Sequence, residues 1–339
     1  MITTKATHDK VDHKEITMYK ISEFQLIIEK AINQIEYPAV PANLYQPISY
    51  IMNLGGKRLR PALVLIASDL FEGDVNQALP AALAIETFHN FTLIHDDIMD
   101  NAPLRRGQQT VHEKWGVNNA ILSGDVMMVE ANKQLARVDS LFLKDVLNSF
   151  NLTAQGVCEG QQLDMEFESR NDVSIAEYIE MIRLKTAVLV GGAMKLGAII
   201  AGAAAEETDL IYEFGEKLGI AFQLQDDILD VYGDPEKFGK QVGGDIMANK
   251  QTFLLIKLRE LASSSDQHYL LEQEANSHVI DKVDNITQLY NQYDVKDLAV
   301  EQMKKYLDEA FRALSSIKVP EYRKKELTSL ANELMNRES

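Results

Sequence analysis

Apolar residues recur at three-to-four spacing along most of this chain. Segments around 22–36, 61–71, 76–100, 117–137, 141–168, 174–202, 206–232 and 249–264 carry Ala, Leu, Ile and Met in that rhythm, which predicts helices with one or more buried faces. Strand-like alternation is scarce, so the expected fold class is all-α. Breaks fall at Pro38 and Pro41, Gly55-Gly56, Pro103, Gly107, Gly233, Pro235 and Gly243-Gly244, too short and too scattered to make a domain linker. From 265 onward polar residues increase, and the helices expected at 296–317 and 322–336 read as peripheral. The expectation is one domain over 18–339, preceded by a polar leader, 1–17, without fixed structure.

Two of the apolar segments end on the same acidic triplet. Asp96-Asp97-Ile98-Met99-Asp100 and Asp226-Asp227-Ile228-Leu229-Asp230 are both D-D-x-x-D. On a helix the first and last carboxylates of each triplet stand at i and i+4 on one face, about 6 Å apart along the axis. Left alone they repel, so the pattern asks for cations. The first triplet closes its helix before Asn101-Ala102-Pro103 and the second before Gly233-Asp234-Pro235. A helix C-terminus carries partial negative charge that also favours a cation. Aspartate oxygens suit Mg2+, which takes one or two carboxylates per ion while a phosphate ligand supplies further oxygens. The implied architecture is a single-domain helical bundle around a deep central cavity, with a charged mouth and an apolar shaft. A solvated acidic face would explain one such pair; two near-identical triplets ending two apolar helices speak against it.

The overall charge narrows the ligand. With a net charge of −17, the chain is unsuited to nucleic acid or an anionic membrane surface, so its local basic clusters are expected to serve something small. The single cysteine, Cys158, excludes an internal disulfide framework, and no stretch reads as a signal peptide or an uninterrupted membrane span. A cytoplasmic location is expected. Gly55-Gly56-Lys57-Arg58-Leu59-Arg60-Pro61 is a glycine turn feeding a basic helix start, where free N–H groups and cations converge on an anion. Arg105-Arg106-Gly107 follows the first triplet, and Lys185-Thr186, Lys240 and Lys250 are isolated cations beside small or polar residues. Gly233 to Gln241 only approximates a nucleotide-binding phosphate loop, with one residue too many and Gln where Ser or Thr belongs. His89 and His95 lie on the first motif helix.

In this order, Gly-Gly-Lys-Arg-Leu-Arg-Pro (55–61), the first triplet with Arg-Arg-Gly (96–107), Gly-Gln-Gln-Leu-Asp (160–164), Lys-Thr (185–186), Phe-Gln-Leu-Gln-Asp-Asp-Ile-Leu-Asp (222–230) and Gly-Lys to Lys (239–250) resemble the trans-isoprenyl diphosphate synthases, also called polyprenyl synthetases. The likeness covers residues 50–255 and is closest to the short-chain geranylgeranyl and farnesyl type. It implies a prenyltransferase, usually homodimeric, that joins an allylic diphosphate (dimethylallyl, geranyl or farnesyl) to isopentenyl diphosphate and releases diphosphate. By the same resemblance Asp96, Asp97 and Asp100 with Asp226, Asp227 and Asp230 would serve three Mg2+ ions. Arg105, Lys185, Lys240 and Lys250 would bind the allylic diphosphate, with Lys240 closing over it. Thr186 and Gln223 would line the path of the cation, and Gly56, Lys57, Arg60, His89 and Arg106 would hold isopentenyl diphosphate.

A terpene cyclase would lack both the second aspartate triplet and the Gly-Gly-Lys-Arg-Leu-Arg pocket, and a noncatalytic synthase subunit would have lost a triplet. A metal phosphohydrolase would not need the apolar shaft. Thr92 lies one turn below Asp96, Phe91 beside it, and Phe88 about 12 Å down the axis. In the resembling family the fourth and fifth positions before the first aspartate govern product length. Small Thr92 with bulky Phe91 implies C15 or C20, leaning to C20, and longer chains are the alternative.

Overall fold

A computed structural model of the chain describes residues 19–234, 243–275 and 279–336, and these are almost entirely helical. The first half comprises α1 (Ile21–Ile32), α2 (Ala42–Asn53), α3 (Leu59–Leu70), α4 (Val75–Met99), a two-residue-per-strand hairpin of β1 (Leu104–Arg105) and β2 (Gln108–Gln109), α5 (Val111–Trp115) and α6 (Val117–Leu135). Next come α7 (Ser140–Phe167), α8 (Ile175–Ile182), a π-helical turn (Arg183–Ala187), α9 (Val188–Ile200) and α10 (Ala205–Tyr232). Shorter helices follow at Gly244–Met247, Phe253–Leu261, Ser264–Glu274 and Val279–Gln292, then two longer ones at Val295–Ser316 and Glu321–Asn336.

Local chemistry starts three of the helices around the motifs. Asp74 caps α4 by accepting from the Asn76 amide, Asp139 caps α7 through Leu141, and Ser174 with Glu177 forms a reciprocal capping box on α8. α4 is buried on nearly every side over Ala78 to Phe88, which makes it a central rod of the bundle. α3, α4, α6 and α9 enclose one apolar core. A second core gathers around Tyr178, Leu224, Phe253, Ile286 and Tyr290. α10 belongs to both, with Phe214 and Leu218 in the first and Ile220 and Leu224 in the second, and the π turn lies at that seam.

The structure departs from the sequence reading in four places. The stretch 174–202 is not one helix, because the π turn widens it at Arg183–Ala187. The region after 264 is not peripheral: Leu270, Ile286, Leu289 and Tyr290 build the second core, and Val295, Ala299, Met303, Ala310 and Leu314 bury the long helix that runs against α10. α2 lies between breaks read from Pro38, Pro41 and Gly55-Gly56, yet Pro47 is accommodated within it and its Ile48, Ile51 and Met52 face the core. The expected boundary at 249 moves to Phe253, where Thr252 caps the helix through the Leu255 amide.

Candidate active site

The two triplets sit on α4 and α10, and in each the middle aspartate turns away from the other two. One residue is about 100° around a helix, so i+1 faces a different neighbour from i and i+4. Asp97, whose side chain is 1% exposed, is gripped by Arg105, with Nε 2.8 and 2.9 Å from its two oxygens and Nη2 2.7 Å from Oδ1. Asp227 is buried as well, accepting from the Tyr178 hydroxyl at 2.5 Å and from Gln223 Nε2 at 3.2 Å. Burial, with the Asp245 charge next, pushes the Asp227 carboxyl up to about 8. Both carboxylates turn inward, Asp97 as an anchor for Arg105 and Asp227 for α8, so their geometry lends no support to the expectation that they ligate metal.

Asp96 and Asp100 remain at the mouth. Asp96 lies 3.5 Å from Lys185 Nζ and 3.6 Å from Arg105 Nη2, and its Oδ1 is buried without a hydrogen-bond partner. Burial and the neighbouring Asp96 charge raise the pKa of Asp100. Across the mouth, Asp230 Oδ2 accepts from the Asp245 amide at 2.9 Å, which ties the 243–250 segment to α10. Among the described residues no three histidine, cysteine or acidic side chains converge closely enough to hold a metal ion by themselves. A carboxylate oxygen that makes no hydrogen bond, with Lys185 Nζ only at 3.5 Å, and a mutually repelling i, i+4 pair fit a hard divalent cation whose remaining oxygens come from a bound ligand.

The π turn presents Lys185 and Thr186. Lys185 Nζ is 2.5 Å from Asp164 of α7, and Thr186 Oγ1 donates to Gln223 Oε1 at 3.3 Å. Burial opposes the charge on Lys250, but Asp245, Asp164, Asp100 and Asp96 outweigh it and raise its pKa. Lys240 falls outside the described residues.

A second basic group forms beside the first. The hairpin turn places Arg106 at φ 53° and Gly107 at φ 73°, and Tyr50 steadies it by donating to the Gln109 carbonyl at 2.8 Å. The Arg106 guanidinium donates to the Gly55 carbonyl and lies over Gly56, where a Cβ would stand 2.8 Å from it. Arg60 Nη1 is 3.2 Å from His89 Nε2, while Arg60 Nε is buried with no partner. Burial and four nearby arginines hold the His89 pKa well below its ordinary value, so the ring is neutral. Lys57 is exposed, and its backbone carbonyl accepts from Gln25. Arg58, in a left-handed conformation at φ 44°, is buried against Glu86 at 2.6 Å and Glu29 at 3.0 Å.

Both groups open on a cleft of about 250 Å3. Phe91, Thr92, His95 and Met99 of α4 line it, with Val157, Cys158, Gln161 and Met165 of α7 opposite and Lys185, Thr186 and Leu189 at the side. Phe88 does not reach it; fully buried, it packs on Phe91 and Phe150 at ring distances of 5.6 and 5.4 Å. It backs Phe91 from behind the cleft wall. Sequence reasoning also gave no role to Asp164, Tyr178 or Arg58. Asp164 had a signal in the quoted Gly-Gln-Gln-Leu-Asp stretch, whereas Tyr178 had none.

A family model described as polyprenyl synthetase matches residues 41–293. The geranylgeranyl diphosphate synthase of Methanosarcina mazei is 42% identical over 69% of this chain and 72% of its own. That of Saccharolobus solfataricus is 40% identical over 80% and 82%. A crystal structure of a geranylgeranyl pyrophosphate synthase superposes with a TM-score of 0.89 at 41% identity, covering 95% of this chain and all of the other.

Proposed function

This chain belongs to the polyprenyl synthetase family, and from that premise we propose that its cleft joins an allylic diphosphate to isopentenyl diphosphate, forming a short-chain all-trans prenyl diphosphate, C20 in preference to C15. One observation carries the reading: two cationic groups of different character meet at the mouth of one apolar cleft. Arg60, Arg106 and neutral His89 make an arginine-rich pocket, with the Arg60 Nε left unpartnered. Lys185 and Lys250 lie among Asp96, Asp100, Asp164 and Asp245 instead. The first suits isopentenyl diphosphate held by guanidinium forks, the second an allylic diphosphate held by ammonium groups and carboxylate-bound cations.

Magnesium, three ions by the family resemblance, would be held by Asp96 and Asp100 on one side and Asp226 and Asp230 on the other, and when bound supplies Lewis-acid stabilisation of the departing diphosphate. The chain's own groups do the rest. Lys185, Lys250 and Arg105 add positive charge where negative charge develops, and Lys240 would close over it. Asp97 and Asp227 orient Arg105 and Gln223. Thr186 and Gln223 present oxygens toward the positive allylic carbon, while Arg60, Arg106 and His89, beside Gly56 and Lys57, hold the acceptor alkene next to it. The proton lost at the end goes to the released diphosphate.

Phe91 on the cleft wall with Thr92 beside it supports a short product. Incubation with isopentenyl diphosphate, each allylic primer and Mg2+, followed by chromatography of the dephosphorylated products, is expected to give mainly C20 and nothing in EDTA. Phe91→Ala is expected to shift the products longer. Unchanged length from an active, folded Phe91→Ala protein would remove Phe91 as the stop. A homodimer completes the reading, with α6 as the joining face: Val117, Ile121, Leu122 and Val129 are 47, 40, 55 and 57% exposed on it, a stripe suited to a second copy. Sedimentation at micromolar concentration tests it. The lone cysteine fits a reducing, cytoplasmic site of action. No helix among the described residues is long and apolar enough to cross a membrane.

A further inference from the structure

The π turn at Arg183–Ala187 is wider than an α turn and less well hydrogen-bonded, so it persists where its surroundings hold it. Two glycines give it room. Gly160 of α7 lies directly against the backbone of Leu184 and Lys185, and a Cβ on Gly219 of α10 would stand 2.7 Å from Ala187 Cα. These contacts are apolar and do not decide where along the chain the extra residue sits. Arg183 supplies the directional contacts. Its Nε and Nη2 each donate to Glu180 at 2.7 Å, and its Nη1 donates to Glu216 Oε1 of α10 at 2.9 Å. The Glu216 side chain is only 13% exposed, and the Tyr212 hydroxyl donates to the same oxygen at 3.2 Å. Glu216 precedes Gln223 by about two helical turns on one face of α10. The turn is thus tied to α10 at both ends, Arg183 to Glu216 and Thr186 to Gln223.

We propose that Arg183 and Glu216 are positioning residues whose ion pair fixes the register of the π turn against α10, and so aims Lys185 and Thr186 into the allylic site. A register change of one residue swings a side chain about 100° around the helix, which takes Lys185 Nζ away from Asp96 and Asp164. Neither Arg183 nor Glu216 lines the cleft, so their effect reaches substrate only through the turn.

The inference rests on the allylic roles given above to Lys185 and Thr186, and its test separates the two. In the full-length protein, Glu216→Ala is expected to raise the KM for the allylic diphosphate about tenfold while leaving that for isopentenyl diphosphate within about twofold. Amide hydrogen exchange at 184–187 is expected to quicken in the substrate-free protein. Glu216→Gln falls between, and Tyr212→Phe, which keeps the ion pair, stays close to the parent. Unchanged exchange at 184–187 in folded Glu216→Ala overturns the latch whatever the enzyme does. An equal rise in both KM values overturns it too. Faster exchange with an unchanged allylic KM overturns the link from the turn to substrate, whereas an unchanged allylic KM in Lys185→Ala would instead overturn the role given to Lys185. Should Glu216→Ala fail to fold, Glu216→Gln and Arg183→Gln carry the same two readouts.

Discussion

Arg106 occupies a backbone position that its side chain does not favour. A two-residue hairpin turn with φ above zero at both central positions selects Asn, Asp or Gly at the first, and here an arginine sits at φ 53°. Such a residue costs on the order of 1 kcal/mol or more and persists at functional sites, where the side chain is worth the strain. The structure shows what it supplies: a guanidinium seated over Gly56 and beside the Arg60–His89 pair. Arg106→Asn is therefore expected to leave the fold as stable or more so by about 0.5–1 kcal/mol, while raising the KM for isopentenyl diphosphate about tenfold or more. Thermal melts paired with initial rates check this. A variant that loses stability and keeps its KM would show that Arg106 serves only the hairpin.

The two D-D-x-x-D helices carry different duties on adjacent residues. Asp96 faces the mouth with one oxygen that makes no hydrogen bond, whereas Asp97 faces inward with Arg105 clasped to it. Asp96→Asn is expected to lower turnover by about a hundredfold or more with little change in melting temperature, since its two ion pairs, at 3.5 and 3.6 Å, are long and the repulsion from Asp97 and Asp100 offsets them. Asp97→Asn is expected to cost about 3 kcal/mol of stability, because it leaves Arg105 half-buried opposite a neutral group. Comparable stability loss in both variants would erase the distinction. The positions of the triplets were legible from sequence because D-D-x-x-D at the end of an apolar helix is a repeated, chemically costly pattern. The inward turn of Asp97 follows from the helical angle once a partner is known, yet Arg105, marked in the sequence as a phosphate binder, gave no sign that it folds back on Asp97. The π turn was illegible for a plainer reason: Arg-Leu-Lys-Thr-Ala continues the helical rhythm, and the room for the extra residue comes from Gly160 and Gly219 on two other helices. The helices from 264 to 292 were missed because narrow apolar stripes are diluted by polar faces, and their buried residues show only against the second core.

At the scale of the whole molecule, two apolar cores share α10, and the cleft opens where α4, α7 and the π turn meet. Its wall on the α7 side contains the only cysteine in 339 residues, Cys158, which is exposed. Partial desolvation against the cleft wall, and after it the Glu159 charge, raises the pKa of this accessible thiol, so alkylation at neutral pH is expected to be slow enough to time by hand. One thiol per chain at that place is a natural meter of occupancy. A prenyl tail lying in the cleft would shield the sulfur from a maleimide, whereas inorganic diphosphate, confined to the mouth, would leave it open. Labelling followed by intact-mass measurement should show protection that grows with the length of the added allylic diphosphate from five carbons to twenty. The length at which protection first appears would mark, in methylene units, how far below the mouth Cys158 stands, and protection by diphosphate alone would mean that the tail runs elsewhere.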